Sequence, residues 1–159
     1  MSEETNPQAP KTEAPKAKAD AAGEAKPAKA KKEKPPALED KPFTDFITQD
    51  FMPALTQTLS KTGIQDLDLK FEKRPMPIAA LGNTDYWQLI GHWHGGNRQF
   101  IILFSKEDIQ SAKFFCYADN GATPSTIESF MIDERKVNLD LLLLYTVQRL
   151  NGQKWLVRN

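Results

Sequence analysis

The stretch Asn138–Gly152, NLDLLLLYTVQRLNG, restricts the possible folds of this chain more than any other. Asn138 suits the start of a helix, because its short side chain can accept a hydrogen bond from the first turn; Gly152 suits the stop. Between them Leu139, Leu142, Leu143, Thr146, Val147 and Leu150 recur at the spacing that places side chains on one helix face. Leu141, Leu144 and Tyr145 fall on the other side. A helix apolar nearly all round is expected to be covered on more than one side, and any stripe left bare marks an interaction site. The run is shorter than the roughly 20 apolar residues that a bilayer span needs.

The other end of the chain has the opposite character. The first 36 residues are mostly Ala, Lys, Pro and Glu, with no aromatic and no β-branched apolar residue. Such a segment cannot bury enough surface to offset its ordering entropy. The expected organisation is therefore a disordered tail, 1–36, and one domain, 37–159. The most basic piece of the tail, Lys26–Lys34, reads as solvated because Glu dilutes it; a tether to anionic lipid or an acidic protein surface is the alternative.

The domain opens with a helical pattern. Pro42 fits a first turn, and Phe43, Phe46, Ile47, Phe51, Leu55 and Leu59 follow with helical spacing up to Gly63. Pro53 predicts a kink or a restart, with Asp50 as cap of the second half. The period then changes to two. Leu67, Leu69 and Phe71 alternate with charged residues, and Pro75 and Pro77 end that strand or confine it to an edge. Tyr86–Trp93, Phe100–Phe104 and Lys113–Ala118 read as three more strands, the first two joined by a hairpin at His94-Gly95-Gly96-Asn97. Ser125 with Glu128 matches a capping box, which predicts a short helical turn before the final helix. Trp155 is expected to fold back on the core. The expected fold class is α+β: an antiparallel four-stranded meander burying Trp87, Trp93 and alternate residues of Phe100–Phe104 under N- and C-terminal helices.

Composition narrows the function classes. A chain of 159 residues, 40% hydrophobic, suffices for one real core. Its net charge is zero: the tail carries eight Lys against six acids, and the remainder is slightly acidic. Neither part has the concentrated basic face expected of a nucleic-acid binder. A lone cysteine, Cys116, leaves no intrachain disulfide to form. The N-terminus has no apolar h-region, and it carries Glu3, Glu4, Glu13 and Glu24 with no Arg, unlike secretory or transit peptides. A cytoplasmic or stromal protein without a transmembrane segment is the expectation.

Few residues suggest chemistry. His92 and His94, two apart on a strand, would face the same way as a metal-ligand pair, but no further ligand spacing accompanies them. Gly91 and Gly95-Gly96 fall within a hairpin, not between a strand and a helix, so no dinucleotide loop is expected. Asp119–Ser125 could offer backbone N–H groups at a helix start, or simply be a capped turn. Cys116 lies among aromatic residues and reads as an inert structural thiol. No nucleophile–base–acid order is recognisable. The expectation is a protein that is not an enzyme, with no cofactor, no metal and no small-molecule ligand. Candidate partner-binding residues are Asp119, Asn120 and Arg135 in the connection before the final helix, and Leu141, Leu144 and Tyr145 on the helix's outer stripe. The rival reading is a small-molecule binding module whose site, lined by Trp87, Trp93 and Phe104, would need about 300 Å³.

Two strings carry a family resemblance: ALEDKPFTDFITQDFMPAL at Ala37–Leu55 and ADNGATPSTIESFMIDERKVNLDLLLLYTVQRLNGQKW at Ala118–Trp155. Over about Leu38–Asn159 the chain resembles a domain family of unknown function from cyanobacteria and chloroplasts. That family is also associated with the V subunit of the photosynthetic NAD(P)H dehydrogenase-like complex. The resemblance implies a peripheral, cofactor-free accessory or assembly subunit at the cytoplasmic or stromal face of the thylakoid. It would reach the membrane through its partner and support the ferredoxin-docking region in cyclic electron flow. An adaptor of another photosynthetic complex is the alternative. The family offers no catalytic motif to carry across.

Overall fold

Alternating side chains in the middle of the chain build one antiparallel sheet. Its strands are β1 (Asp68–Pro75), β2 (Asp85–Trp93), β3 (Arg98–Phe104), β4 (Lys113–Ala118) and β5 (Glu128–Phe130), in the spatial order β1-β2-β3-β4-β5. The computed structural model describes residues 37–76, 78 and 81–156; the expected tail, 1–36, and Pro77 lie outside the described residues. Short links favour such a meander because parallel neighbours need long crossovers. Pro75 closes β1, an edge strand that can accommodate its missing N–H. In the register of β2 and β3, Gly91 faces Phe100, whose ring fills the space a side chain would take.

The β2–β3 hairpin turns through His94, Gly95 and Gly96, all in the left-handed region at φ 57°, 65° and 84°. Two successive glycines make that conformation cheap. Asp66 braces the turn: its carboxylate accepts from the Gly95 N–H at 3.1 Å, which holds the Asp66 pKa below the usual carboxylate range.

The sequence predicts four strands, and the sheet has five. Glu128–Phe130 pairs with Lys113–Phe115, where a helical turn capped by Ser125 and Glu128 is expected. The pairing supplies hydrogen bonds along a β4 edge that would otherwise lack a neighbour, and it outweighs the local capping signal. Glu128, the expected box residue, instead bonds Arg149.

Both helical halves pack on one face of the sheet. After a 3₁₀ turn, Leu38–Asp40, the first begins as α1 (Phe43–Asp45), widens into a π-helical stretch at Phe46–Phe51 and continues as α2 (Met52–Lys61). The wider turn lets Pro53 enter without clashing with the carbonyl one turn back, so the break is a bulge and not a capped restart. Asp50 makes no cap bond; it pairs with Lys41 at 2.7 Å. The final helix, α3 (Leu139–Gly152), starts as expected, with Asn138 Oδ1 accepting from the Leu141 N–H at 2.8 Å. Its end is displaced. Gly152 remains helical, and Lys154 takes the left-handed position at φ 57°. The Lys154 N–H bonds the Asn151 carbonyl and the Trp155 N–H the Leu150 carbonyl, a Schellman closure that sets Trp155 edge-on to Trp93 and Tyr117.

The main core lies between sheet and helices. Phe46, Phe51, Leu55 and Leu59 meet Leu89, Trp93, Phe100, Ile102, Phe104 and Phe115 from the sheet and Leu142 and Leu150 from α3. Trp93 and Phe104 are buried, while Trp87 is half-buried and stacks on Phe71 at 4.7 Å. The opposite sheet face is not bare. Ile90, Ile101, Leu103 and Cys116 form a second cluster there with Met76 and Ile78, and Leu81 and Ile127 pack against it.

Candidate functional site

Strand alternation predicts that Phe130 and Ile132 share a face and that Met131 opposes them. The backbone breaks that alternation. Met131 takes φ 55°, a conformation that costs a bulky residue about 1–2 kcal/mol. The consequence is that Phe130 and Met131 are both buried and Ile132 is turned outward, 77% exposed. Strain held at one residue so that an isoleucine faces water is a feature expected of binding surfaces.

Ile132 stands on a ridge between two depressions. One, of about 300 Å³, is lined by residues from Gln110–Phe114 and Ser129–Ile132 together with Glu134. The other, of about 330 Å³, lies between Ser129–Asp133 and the α3 side chains of Tyr145, Gln148 and Arg149. Leu144, 49% exposed, precedes Tyr145 in α3 and lies one turn from Gln148, two residues that line the second. On the floor of the first, buried Lys113 donates from Nζ to the Ile109 and Ser111 carbonyls at 2.7 and 2.8 Å, and burial lowers its pKa. Both of those bonds are spent on closing the β3–β4 connection.

The connection from β5 to α3 is tied down at three points. Tyr145 donates from its hydroxyl to Glu134 Oε1 at 2.5 Å, a bond that raises the Tyr145 pKa. Gln110 accepts from the Val137 N–H and donates to the Val137 carbonyl, both at 2.7 Å. Glu39 Oε1 accepts from the Leu139 N–H at 3.0 Å, which adds a carboxylate at the positive end of α3.

The six candidate residues divide into two groups. Leu141, Leu144 and Tyr145 on α3 and Arg135 in the connection lie at the β5 end of the sheet. Within the outer stripe only Leu144 is exposed; Leu141 and Tyr145 are half-buried and pack on the core, Tyr145 edge-on to Phe130 at 6.4 Å. Asp119 and Asn120 lie elsewhere. They follow Ala118, which pairs with Gln99, whereas Lys113 at the other end of β4 pairs with Phe130, about 17 Å away along the strand. Asp119 bonds within its own turn, and the Gly121 N–H bonds the Asn97 carbonyl of the β2–β3 hairpin. Ile132 was not among the candidates. The one sequence signal for it is an isoleucine directly before the charged run Asp133–Lys136.

The other candidates for chemistry are not brought together. His94 lies beyond the end of β2 in a left-handed turn position, so strand alternation does not carry His92's direction to it. Among the described residues no group of three or more His, Cys, Asp or Glu could hold a metal ion. Thr123–Ser125 is not helical, so the helix start considered as an anion site is absent from that segment. Cys116 is buried; burial, with the nearby Glu128 charge, pushes its thiol pKa up to about 11. Of the residues that the rival, small-molecule reading names, Trp93 and Phe104 belong to the core and Trp87 packs against it, and none of the three lines the two depressions beside Ile132. No helix among the described residues is long and apolar enough to cross a membrane.

The match that bears on this surface covers residues 37–157, from the 3₁₀ turn through α3 and past Trp155, and it is to proteins of unknown function, DUF2996. The chain belongs to this family. The DUF2996 domain thus takes in the whole sheet, both helical halves and the ridge at Ile132. No curated protein matches the chain.

Proposed function

We propose that this DUF2996 protein is a non-enzymatic accessory or assembly subunit that docks on a protein complex through the face around Ile132 and Leu144. One observation carries the reading: the left-handed backbone at Met131 turns Ile132 out to 77% exposure, and Leu144 on α3 is exposed as well. Two large exposed aliphatic side chains, one of them lining the two depressions, suit a protein partner, which can remove both from water. Arg135 adds an exposed charge in the connection after Ile132. The assignment of that partner as the photosynthetic NAD(P)H dehydrogenase-like complex, near its ferredoxin-docking region at the cytoplasmic or stromal face of the thylakoid, rests on the resemblance of Ala37–Leu55 and Ala118–Trp155 alone. An adaptor of another photosynthetic complex fits the same surface.

Co-purification tests this reading. Full-length chain carrying Ile132→Asp and Leu144→Asp should melt like the unaltered protein, because both side chains are exposed. It should recover thylakoid complexes about 10-fold less well, as expected when hot-spot apolar contacts are lost. Equal recovery by the altered and unaltered chains would overturn the proposal.

A further inference from the structure

β1 is one of the two edges of the sheet, and among the described residues only β2 pairs with it. It is extended over all eight residues, so its side chains alternate between two faces. Asp68, Lys70, Glu72 and Arg74 share one face and alternate in sign. Lys70 pairs with Asp68 at 3.6 Å and Arg74 with Glu72 at 3.0 Å. Asp68 and Lys70 are exposed, Glu72 and Arg74 half-buried; on the other face Leu69 and Phe71 are half-buried. Pro75, which has no N–H to offer, stands at the end of the strand.

Charge on an edge strand ordinarily keeps other strands away. Here the alternation attracts a second copy, and in one register only. Turning β1 end for end about Phe71 sets Asp68 opposite Arg74, Lys70 opposite Glu72 and Phe71 opposite itself, with Pro75 outside the paired stretch. A slip of two residues one way sets Glu72 opposite itself and Lys70 opposite Arg74. The same slip the other way sets Lys70 opposite itself and Asp68 opposite Glu72. A slip of one residue sets the charges opposite Leu69 and Phe71.

We propose that β1 is a self-pairing edge, through which two copies of this chain join antiparallel about a two-fold axis at Phe71 to form one continuous sheet. Each charge on the shared face then has an opposite charge across the strand as well as along it, and the two Phe71 rings meet at the axis beside Leu69. β5, which leads to Ile132, is the sheet's opposite edge, so the pair keeps two free docking faces. The inference stands whether or not those faces bind a complex.

Sedimentation velocity on the full chain, with charge-reversed variants, decides the matter. The unaltered protein should be mainly dimeric at about 100 µM and should dissociate on dilution, as a small interface does. Lys70→Glu sets a carboxylate opposite Glu72 of the mate, and Glu72→Lys sets an ammonium opposite Lys70. Each alone should melt like the parent and pair with itself about 10-fold more weakly. Mixed in equal amounts, the two variants should form a mixed dimer within about 3-fold of the parent's affinity, because every opposed pair again has opposite signs. An unaltered chain that stays monomeric at about 100 µM would overturn the proposal. So would single variants that pair like the parent, or a mixture that pairs no better than its components.

Discussion

Arg149 on α3 donates from Nε to Glu128 Oε2 on β5 at 2.7 Å. Its guanidinium also lies 5.1 Å from the ring centre of Tyr117 and 5.4 Å from that of Phe115. One side chain therefore joins the last helix to both β4 and the short edge strand that leads to Ile132. A planar guanidinium can stack on rings and bond a carboxylate at once, which an ammonium cannot do as well. Arg149→Lys should lower unfolding free energy by about 1 kcal/mol and Arg149→Ala by about 2 kcal/mol in urea titrations. Two variants as stable as the parent would show that the cluster contributes nothing.

Gly91 on β2 and Phe100 on β3 face each other with no room for a side chain at Gly91. A Cβ on Gly91 would stand 2.2 Å from Phe100 Cε1, and that ring is fully buried against Phe115. Gly91→Ala should therefore destabilise the domain by about 3 kcal/mol. Adding Phe100→Leu should recover part of that loss, because it removes the atoms that collide. A thermal melt of Gly91→Ala matching the parent would contradict the packing described.

Cys116 reports on global opening. Burial and a thiol pKa near 11 leave little thiolate in the folded chain at neutral pH. A maleimide should label it only as fast as the domain unfolds, with a rate that rises steeply in urea. Immediate labelling in native buffer would place the thiol outside the second core cluster.

Tyr145 and Glu134 should give the connection an alkaline limit. The Tyr145 pKa is raised because the protonated hydroxyl donates to the Glu134 carboxylate. A group with a raised folded pKa stabilises fully below its unfolded value and loses that contribution as pH climbs through the folded value. Melting temperature should thus fall at pH above the ordinary tyrosine range, and Tyr145→Phe should remove that part of the fall. Identical alkaline profiles for the two proteins would refute the linkage.

The legible parts of this fold are those where one period runs uninterrupted. Leu142, Thr146 and Leu150 are buried along α3 as their spacing predicts, and the Gly95-Gly96 turn joins the two strands expected around it. The sequence misleads where a local signal meets a tertiary demand. Ser125 and Glu128 have the residue types of a helix cap, but the open edge of β4 recruits Glu128–Phe130 as a strand. Asp50 has the residue type of a cap, but a widened turn accommodates Pro53 without one. The surface around Ile132 was hidden for a related reason. Its exposure follows from a left-handed backbone at methionine, a residue whose own chemistry gives no hint of that conformation.

Amide hydrogen exchange on the chain, free and within a purified thylakoid complex, tests the docking face most directly. Docking through the ridge predicts slowed exchange across Ser129–Lys136 in the complex, with the β2–β3 hairpin at His94–Asn97 unchanged. Protection confined to the hairpin end, or an unchanged Ser129–Lys136 segment in a complex that demonstrably holds the protein, would contradict it.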